Sequence, residues 1–172
     1  MTHTRHAGGT HTIRLRAFRE SDTEAAVELW EACGLTRPWN DPRADIARSL
    51  SAQPELFLVA ECEPAATAGP GAGSSAGAGI CDGTTLVGTV MAGFDGHRGW
   101  MYYLATAQAL RGSGIGRALV AEVERRLEAL GCPKAQLMVR SENSAAVGFY
   151  TALGYEANDV IVLGKRLIND AP

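Results

Sequence analysis

The sequence predicts an α+β domain with αβα layering, in which a mixed, mostly antiparallel central sheet carries helices on both faces. Three observations predict it. Apolar periodicity gives the order strand, two helices, three strands, helix, strand, helix, two strands, in which antiparallel meanders are joined by crossover helices. The stretch from about Gly114 to Leu130 places Ile115, Leu119, Val123, Leu127 and Leu130 on one helical face, with Glu122 four before Arg126 on the other. The 172 residues, 46% hydrophobic and 20% charged, suit one core and hence one domain.

In chain order, residues 1–11 scatter His3, His6 and His11 among Thr and Gly without periodicity and are expected to be a disordered tail rather than a metal site. Residues 12–170 then form the single domain. Ile13, Leu15 and Ala17 alternate with Arg14 and Arg16 as a half-buried strand. Ser21 with Glu24 reads as a capping box for a helix that buries Val27, Leu29 and Trp30 and ends near Gly34. Asp41-Pro42 sets an N-cap and a first-turn proline for a second helix through Ile46 and Leu50. Strands follow at Leu56 to Cys62 and Thr85 to Phe94. Between them, residues 63–84 are dominated by Ala, Gly, Ser and Pro, too little apolar bulk to offset ordering entropy, and are expected to be a flexible insertion.

The turn Asp95-Gly96-His97-Arg98-Gly99 makes a hairpin with the strand Trp100 to Thr106. After the long helix, Gly131 and Pro133 act as stops, Ala135 to Arg140 is a strand, and Asn143 to Leu153 is a short helix closed by Gly154. Tyr155 with Val160 to Ile168 is expected to end the fold as a hairpin whose apolar strand is suited to pairing with a second copy in a homodimer.

Bulk properties exclude several function classes. A net charge of −3 without long like-charge runs argues against nucleic acid or a membrane surface as partner. Cys33, Cys62, Cys81 and Cys132 form no CxxC pair, so neither a zinc site nor a disulfide framework is suggested; they read as reduced thiols, and no metal is expected. With no signal-peptide pattern and no stretch near the ~20 apolar residues of a membrane span, a cytoplasmic location is expected.

The chemistry centres on Arg111-Gly112-Ser113-Gly114-Ile115-Gly116, a strand-to-helix turn. Its glycines let the backbone approach an anion closely, the first helical N–H groups point outward without partners, and Arg111 and Arg117 add positive charge. A dinucleotide fingerprint needs its third glycine one residue later, and a Walker loop needs a GK[ST] ending, so both nucleotide readings weaken. About thirty residues on, Asn143, Ala146, Phe149, Tyr150, Gly154 and Tyr155 share one helix-centred segment. The pair resembles the R/Q-x-x-G-x-G/A loop and the N-x-x-A-x-x-F-Y-x-x-x-G-F/Y segment of the GNAT superfamily of N-acetyltransferases, in element order from Ile13 to Ile168. Leu29-Trp30-Glu31, 37–42, 95–99, 131–134 and 163–167 resemble more closely the small bacterial YpeA-type acetyltransferases, from whose compact pattern the 63–84 insertion departs.

The resemblance implies acetyl-CoA as co-substrate. Its pyrophosphate would lie on the backbone of Arg111, Gly112, Ser113, Gly114, Ile115, Gly116 and Arg117. Its pantetheine arm would pair with Leu104, Ala105 and Thr106 where the sheet splays, and Asn143 would hydrogen-bond the arm. Tyr150 would face the sulfur as general acid. A main-chain N–H near Leu104 is the candidate oxyanion donor. No Asp or Glu lies between Trp100 and Arg111, and Met138 falls where the ribosomal-protein alanine acetyltransferases carry a glutamate, so their substrate is not implied. The base is left among Asp41, Asp95, His97 and a water relayed by Tyr102 or Tyr103; as these two alternate faces, at most one is expected in the cleft. Arg37, Trp39, Asn40, Asp41, Asp95, His97, Tyr102 and Tyr103 are the candidate acceptor-binding residues, for a small-molecule, peptide N-terminal or lysine amine. The alternative is a non-catalytic acyl-CoA-binding sensor or partner-binding module.

Overall fold

The computed structural model describes residues 3–5, 11–64 and 83–171. The tail residues 1–2 and 6–10 and most of the 63–84 insertion, with Cys81 in it, lie outside them, so those expectations are not addressed. Within the tail, the backbone of β1 (His3–Arg5) pairs antiparallel with β2 (His11–Ala17). β2 leads through a 3-10 turn at Glu20–Asp22 to α1 (Thr23–Ala32) and α2 (Pro42–Ala52). A 3-10 turn at Pro54–Leu56 opens β3 (Leu58–Pro64), which is followed by β4 (Thr85–Phe94) and β5 (Gly99–Thr106). A further 3-10 turn at Gln108–Leu110 precedes α3 (Ile115–Ala129), β6 (Ala135–Leu137) and α4 (Ser144–Thr151).

The six strands lie in the order β1-β2-β3-β4-β5-β6, antiparallel throughout except for the parallel β5–β6 pair. This is the expected mixed, mostly antiparallel sheet with helices on both faces. Strand alternation divides the core between them. Leu58, Ala60 and Cys62 face Ile115, Leu119, Val123 and Leu127 of α3, while Phe57 and Val59 face Val27 and Trp30 of α1 and Ile46 of α2. Leu130, expected on the α3 stripe, is exposed past the helix end.

Three local expectations change. Ser21 does not cap α1. Instead the Asp22 carboxylate accepts from the Arg19 N–H at 2.7 Å and from Arg16 at 2.6 and 2.8 Å, while Glu61 accepts from both Arg14 and Arg16. Burial opposes ionisation of Asp22 and Glu61, but the arginine hydrogen bonds outweigh it and leave both carboxyls below their usual pKa range. Cys62 is disulfide-bonded, whereas Cys33 and Cys132 are free thiols, so the reading of four reduced cysteines is corrected.

The terminal hairpin is also absent. Among the described residues no strand follows α4, and Val160 to Leu163 are 63–90% exposed. The outer strand β6 pairs through only three residues and offers a short edge on which to add another. The segment is tethered near its ends instead: Lys134 Nζ donates to Asn158 Oδ1 at 2.8 Å, Arg166 to the Trp39 carbonyl at 2.7 Å, and the Asp41 N–H to the Asp170 carbonyl at 2.7 Å. The pairing surface expected for a homodimer is therefore not formed as a strand. Among the described residues no helix is long and apolar enough to cross a membrane.

Candidate active site

The site is organised by one extra residue in β5. Thr89 pairs with Ala105 and Met91 with Tyr102, so one residue of β4 is opposed by two of β5, Tyr103 and Leu104. Tyr103 absorbs the bulge with φ 49°, a left-handed conformation uncommon for a bulky side chain. Such strain, of order 1–3 kcal/mol, persists where neighbours enforce it, and here they are identifiable. The Tyr103 ring stacks on Trp30 with centroids 3.9 Å apart. Trp30 Nε1 donates to Thr89 Oγ1 at 2.8 Å, and Thr89 Oγ1 donates to the Tyr103 carbonyl at 2.9 Å.

The bulge cancels the strand alternation. Tyr102 and Tyr103 both line a cavity of about 400 Å³ on the α2 side, with Asp45, Arg48, Gln53, Met91 and Gly93, which corrects the expectation that at most one would enter. Leu104 turns to the opposite core, against the cluster containing Ile115. The same region is where the sheet opens: the β5–β6 ladder stops at Met101 against Leu137, and the backbone of 102–106 runs on past it. That leaves an extended segment with its β6-facing main-chain groups outside any ladder among the described residues.

Just beyond the open edge lies the glycine loop. Gly112 (φ 79°) and Gly114 (φ 85°) adopt left-handed conformations, and Gly114 caps α3 without a side chain, so the first N–H groups of α3 face outward. The Ser113 hydroxyl is turned back to the Leu110 carbonyl at 2.6 Å and stiffens the loop. Gly116 serves packing: a Cβ there would lie 3.4 Å from the Phe149 ring, so its lack of a side chain draws α4 against α3.

On α4, Asn143 Oδ1 accepts from the Ala146 N–H at 3.1 Å, so this residue caps its own helix and retains only its amide N–H groups for another partner. Tyr150 packs edge-on between Phe149 and Tyr155, with centroids 5.0 and 5.5 Å away, and its hydroxyl makes no hydrogen bond among the described residues. Burial pushes its pKa up to about 12. It lines a second cavity, of about 930 Å³, between β6, α3, α4 and the exposed C-terminal segment.

Most of the other candidates are engaged elsewhere. Asp41 Oδ1 caps α2 through the Arg43 N–H at 2.8 Å. Asp95 accepts from the N–H groups of His97 and Arg98 at 2.7 and 2.6 Å and from Trp100 Nε1 at 3.2 Å, which together hold its pKa below the usual range. His97 lies exposed in that turn. Arg37 braces its own loop through the Gly34 and Thr36 carbonyls at 2.8 and 2.6 Å. Trp39 is 51% exposed and no part of the core. Asn40 does bond to two residues that line the cavity: its Nδ2 donates to Asp45 Oδ2 at 2.6 Å and to the Tyr103 hydroxyl at 3.2 Å.

With this geometry in place, comparison with known proteins is decisive. Residues 15–155 match the acetyltransferase (GNAT) family model. The chain belongs to the GNAT acetyltransferase family. This acetyltransferase is 47% identical over 158 residues to an acetyltransferase of Pectobacterium atrosepticum and 46% identical over 158 residues to one of Yersinia enterocolitica, covering in each case 92% of this chain and 98% of the relative. In fold it is similar to Ard1 of Thermoplasma volcanium (TM-score 0.65, 20% identity, 85% of this chain and 84% of that one). It is also similar to AAC(6')-Iy, solved with the bisubstrate analogue CoA-S-monomethyl-acetylneamine (TM-score 0.62, 17% identity, 91% and 99%).

Sequence reasoning about this GNAT acetyltransferase missed Asp45. Its Oδ2 accepts from the Tyr103 hydroxyl at 2.8 Å and from Asn40, and its Oδ1 accepts from Arg48 at 2.9 Å. In sequence it is one of several charged residues on a surface helix, three before Arg48, and only the cavity distinguishes it. Thr89 was equally invisible, as a β-branched residue inside an apolar strand.

Proposed function

We propose that this acetyltransferase moves the acetyl group of acetyl-CoA to a primary amine by direct attack, with Tyr150 assisting departure of the thiol. The observation that carries the reading is the open edge of β5 at 102–106, running from the Tyr103 bulge toward the glycine loop and the N-terminus of α3. Acetyl-CoA supplies the thioester. An amide-bearing arm would add to Leu104, Ala105 and Thr106 as a strand does, by main-chain hydrogen bonds. The backbone of Arg111 to Arg117 would hold the pyrophosphate through helix N-terminal N–H groups, a fit supported by glycines that leave the anion unobstructed. The Leu104 N–H, turned by the bulge, would donate to the thioester carbonyl as negative charge grows on its oxygen.

In the reaction the amine nitrogen forms a bond to the acetyl carbon, the carbon–sulfur bond breaks, and one proton passes from nitrogen to sulfur. Tyr150 has a free hydroxyl to donate, but its pKa of about 12 exceeds the ~8.5 of a thiol. Handing over the proton outright would be uphill by ~5 kcal/mol at 1.36 kcal/mol per unit. Tyr150 therefore acts by hydrogen-bonding the sulfur as its charge develops, and its proton transfers only as the amine proton is released to replace it. Asp41 and Asp95 being engaged, the amine loses its proton to water reached along the partly exposed Tyr102.

The test is an amine screen that follows CoA release, with calorimetry of acetyl-CoA in parallel. Release that requires an amine and falls in Tyr150→Phe supports the reading. Tight acetyl-CoA binding with no release for any amine would favour a non-catalytic sensor instead.

A further inference from the structure

We propose that the cavity between α2 and the β4–β5 bulge selects an acceptor carrying a second cationic group, held by Asp45 while a different amine of the same molecule attacks the thioester. The inference rests on the amine-acetyltransferase reading and adds to it the class of acceptor and the residue that selects it.

The cavity holds about 400 Å³, room for a small extended molecule, and Met91, Ala92 and Gly93 line it together with Tyr102 and Tyr103. Apolar walls and aromatic faces suit an alkyl chain ending in a cation. Only two of its lining residues are charged, Asp45 and Arg48. Arg48 is bound twice over, to Asp45 at 2.9 Å and to Asp170 through 3.0 and 2.5 Å contacts. Arg48 is thus divided between Asp45 in the lining and Asp170 beyond it, so Asp45 shares its counter-ion and keeps negative charge facing the cavity. A cation gains there and an anion loses.

Position argues for anchoring rather than chemistry. Among the described residues Asp45 hydrogen-bonds β5 through the Tyr103 hydroxyl alone, so its carboxylate stands a full tyrosine side chain away from the main chain that would flank the thioester. At that remove it does not reach the attacking nitrogen of a bound amine, but it does reach a second charge farther along the molecule. Its orientation is fixed by donors from three directions, Asn40, Tyr103 and Arg48, so little ordering is required on binding. Of the uncharged polar lining residues, Ser49 and Gln53, the Gln53 amide is already engaged: it donates to the Phe94 carbonyl at 3.0 Å and accepts from the Phe94 N–H at 2.7 Å.

The experiment compares 1,5-diaminopentane with n-pentylamine, equal in chain length and differing in one ammonium. Both kcat/KM by CoA release and direct calorimetric binding of each amine are measured for the parent, Asp45→Asn and Arg48→Gln, each checked for folding by circular dichroism. The parent is expected to prefer the diamine by about tenfold or more, mainly through KM. Asp45→Asn should bring that ratio close to one, and Arg48→Gln, which removes the guanidinium paired with Asp45, should raise it. Opposite signs from neighbouring substitutions separate charge recognition from structural damage. No preference in the parent, or a preference that survives Asp45→Asn, would overturn the proposal. Diamine binding that depends on Asp45 without CoA release from any amine would retain the cavity assignment and refute the transferase reading on which it was built.

Discussion

Replacing Thr89 with valine tests whether the Tyr103 bulge is held in place by one buried hydroxyl. Thr89 and Trp30 are both fully buried, and the Thr89 hydroxyl accepts from the indole N–H and donates to the Tyr103 carbonyl. Valine has nearly the same shape, so no cavity opens, but the buried indole N–H and the part-buried Tyr103 carbonyl lose their partner at ~1–3 kcal/mol each. An extra buried methyl group returns ~0.8 kcal/mol. The net expectation is a loss of about 3 kcal/mol, or about 6–12 °C in Tm for a chain of this size. Thr89→Ser keeps the hydroxyl, gives up one methyl group and should lose only ~1 kcal/mol. Urea unfolding followed by tryptophan fluorescence measures both. Acetyl transfer should fall in the valine variant beyond what unfolding accounts for if, as proposed, the bulge aims the Leu104 N–H at the thioester. A valine variant within ~0.5 kcal/mol of the parent, or a serine variant less stable than valine, would refute the linkage.

Tyr150→Phe should lower kcat by about a hundredfold, the low end for a lost proton donor, with acetyl-CoA affinity by calorimetry nearly unchanged; an unaltered kcat across pH removes Tyr150 from the chemistry. Gly114→Glu places a charged side chain at φ 85° on the rim of the cradle and should abolish acetyl-CoA binding; unchanged affinity would move the pyrophosphate elsewhere. At Gly88 a Cβ would lie 3.0 Å from Ile115, 3.1 Å from Leu119 and 3.2 Å from the Ala105 carbonyl, so Gly88→Ala should push α3 off the sheet. The expected cost is ~1–3 kcal/mol in urea unfolding, with weaker acetyl-CoA binding. Hydrogen bonds from Arg125 and then Arg126, against some burial, draw the Glu122 carboxyl down to about 2, below its ~4.3 in an unfolded chain. That stabilisation is complete above about pH 5 and is lost as pH falls toward 2, so Glu122→Gln should flatten the acid limb of a stability profile while the parent stays steep.

The sequence carried the element order well because each element repeats its own signal. Four apolar residues of α3 from Ile115 to Leu127 turn the same way, and Asp41-Pro42 opens α2 with the hydrogen bond expected of it. Features resting on a single residue or on an absent neighbour were not legible. Val160 to Ile168 has the apolar, β-branched composition of a strand, but a strand needs an edge, and β6 offers three residues. In the same way Ser21 satisfied a spacing rule for a cap, while the half-buried Arg16 drew Asp22 into the turn instead.

The bulge is the case in which this limit reaches function. Period-two reasoning assigns Tyr102 and Tyr103 to opposite faces, and it is sound for any strand whose partner keeps register. Here two residues of β5 oppose one of β4, a mismatch that neither strand announces alone, because it is set by what holds the extra residue. Trp30 on α1 supplies the ring, Thr89 on β4 the hydroxyl, and neither lies within ten residues of Tyr103. One consequence is an extra aromatic wall in the α2 cavity; the other is a main chain at Leu104 turned away from its ladder. On the proposed reading, acceptor pocket and carbonyl-facing backbone are thus two outcomes of one register shift. A substitution that straightens β5 should impair acceptor selection and turnover together, whereas Asp45→Asn should alter selection alone.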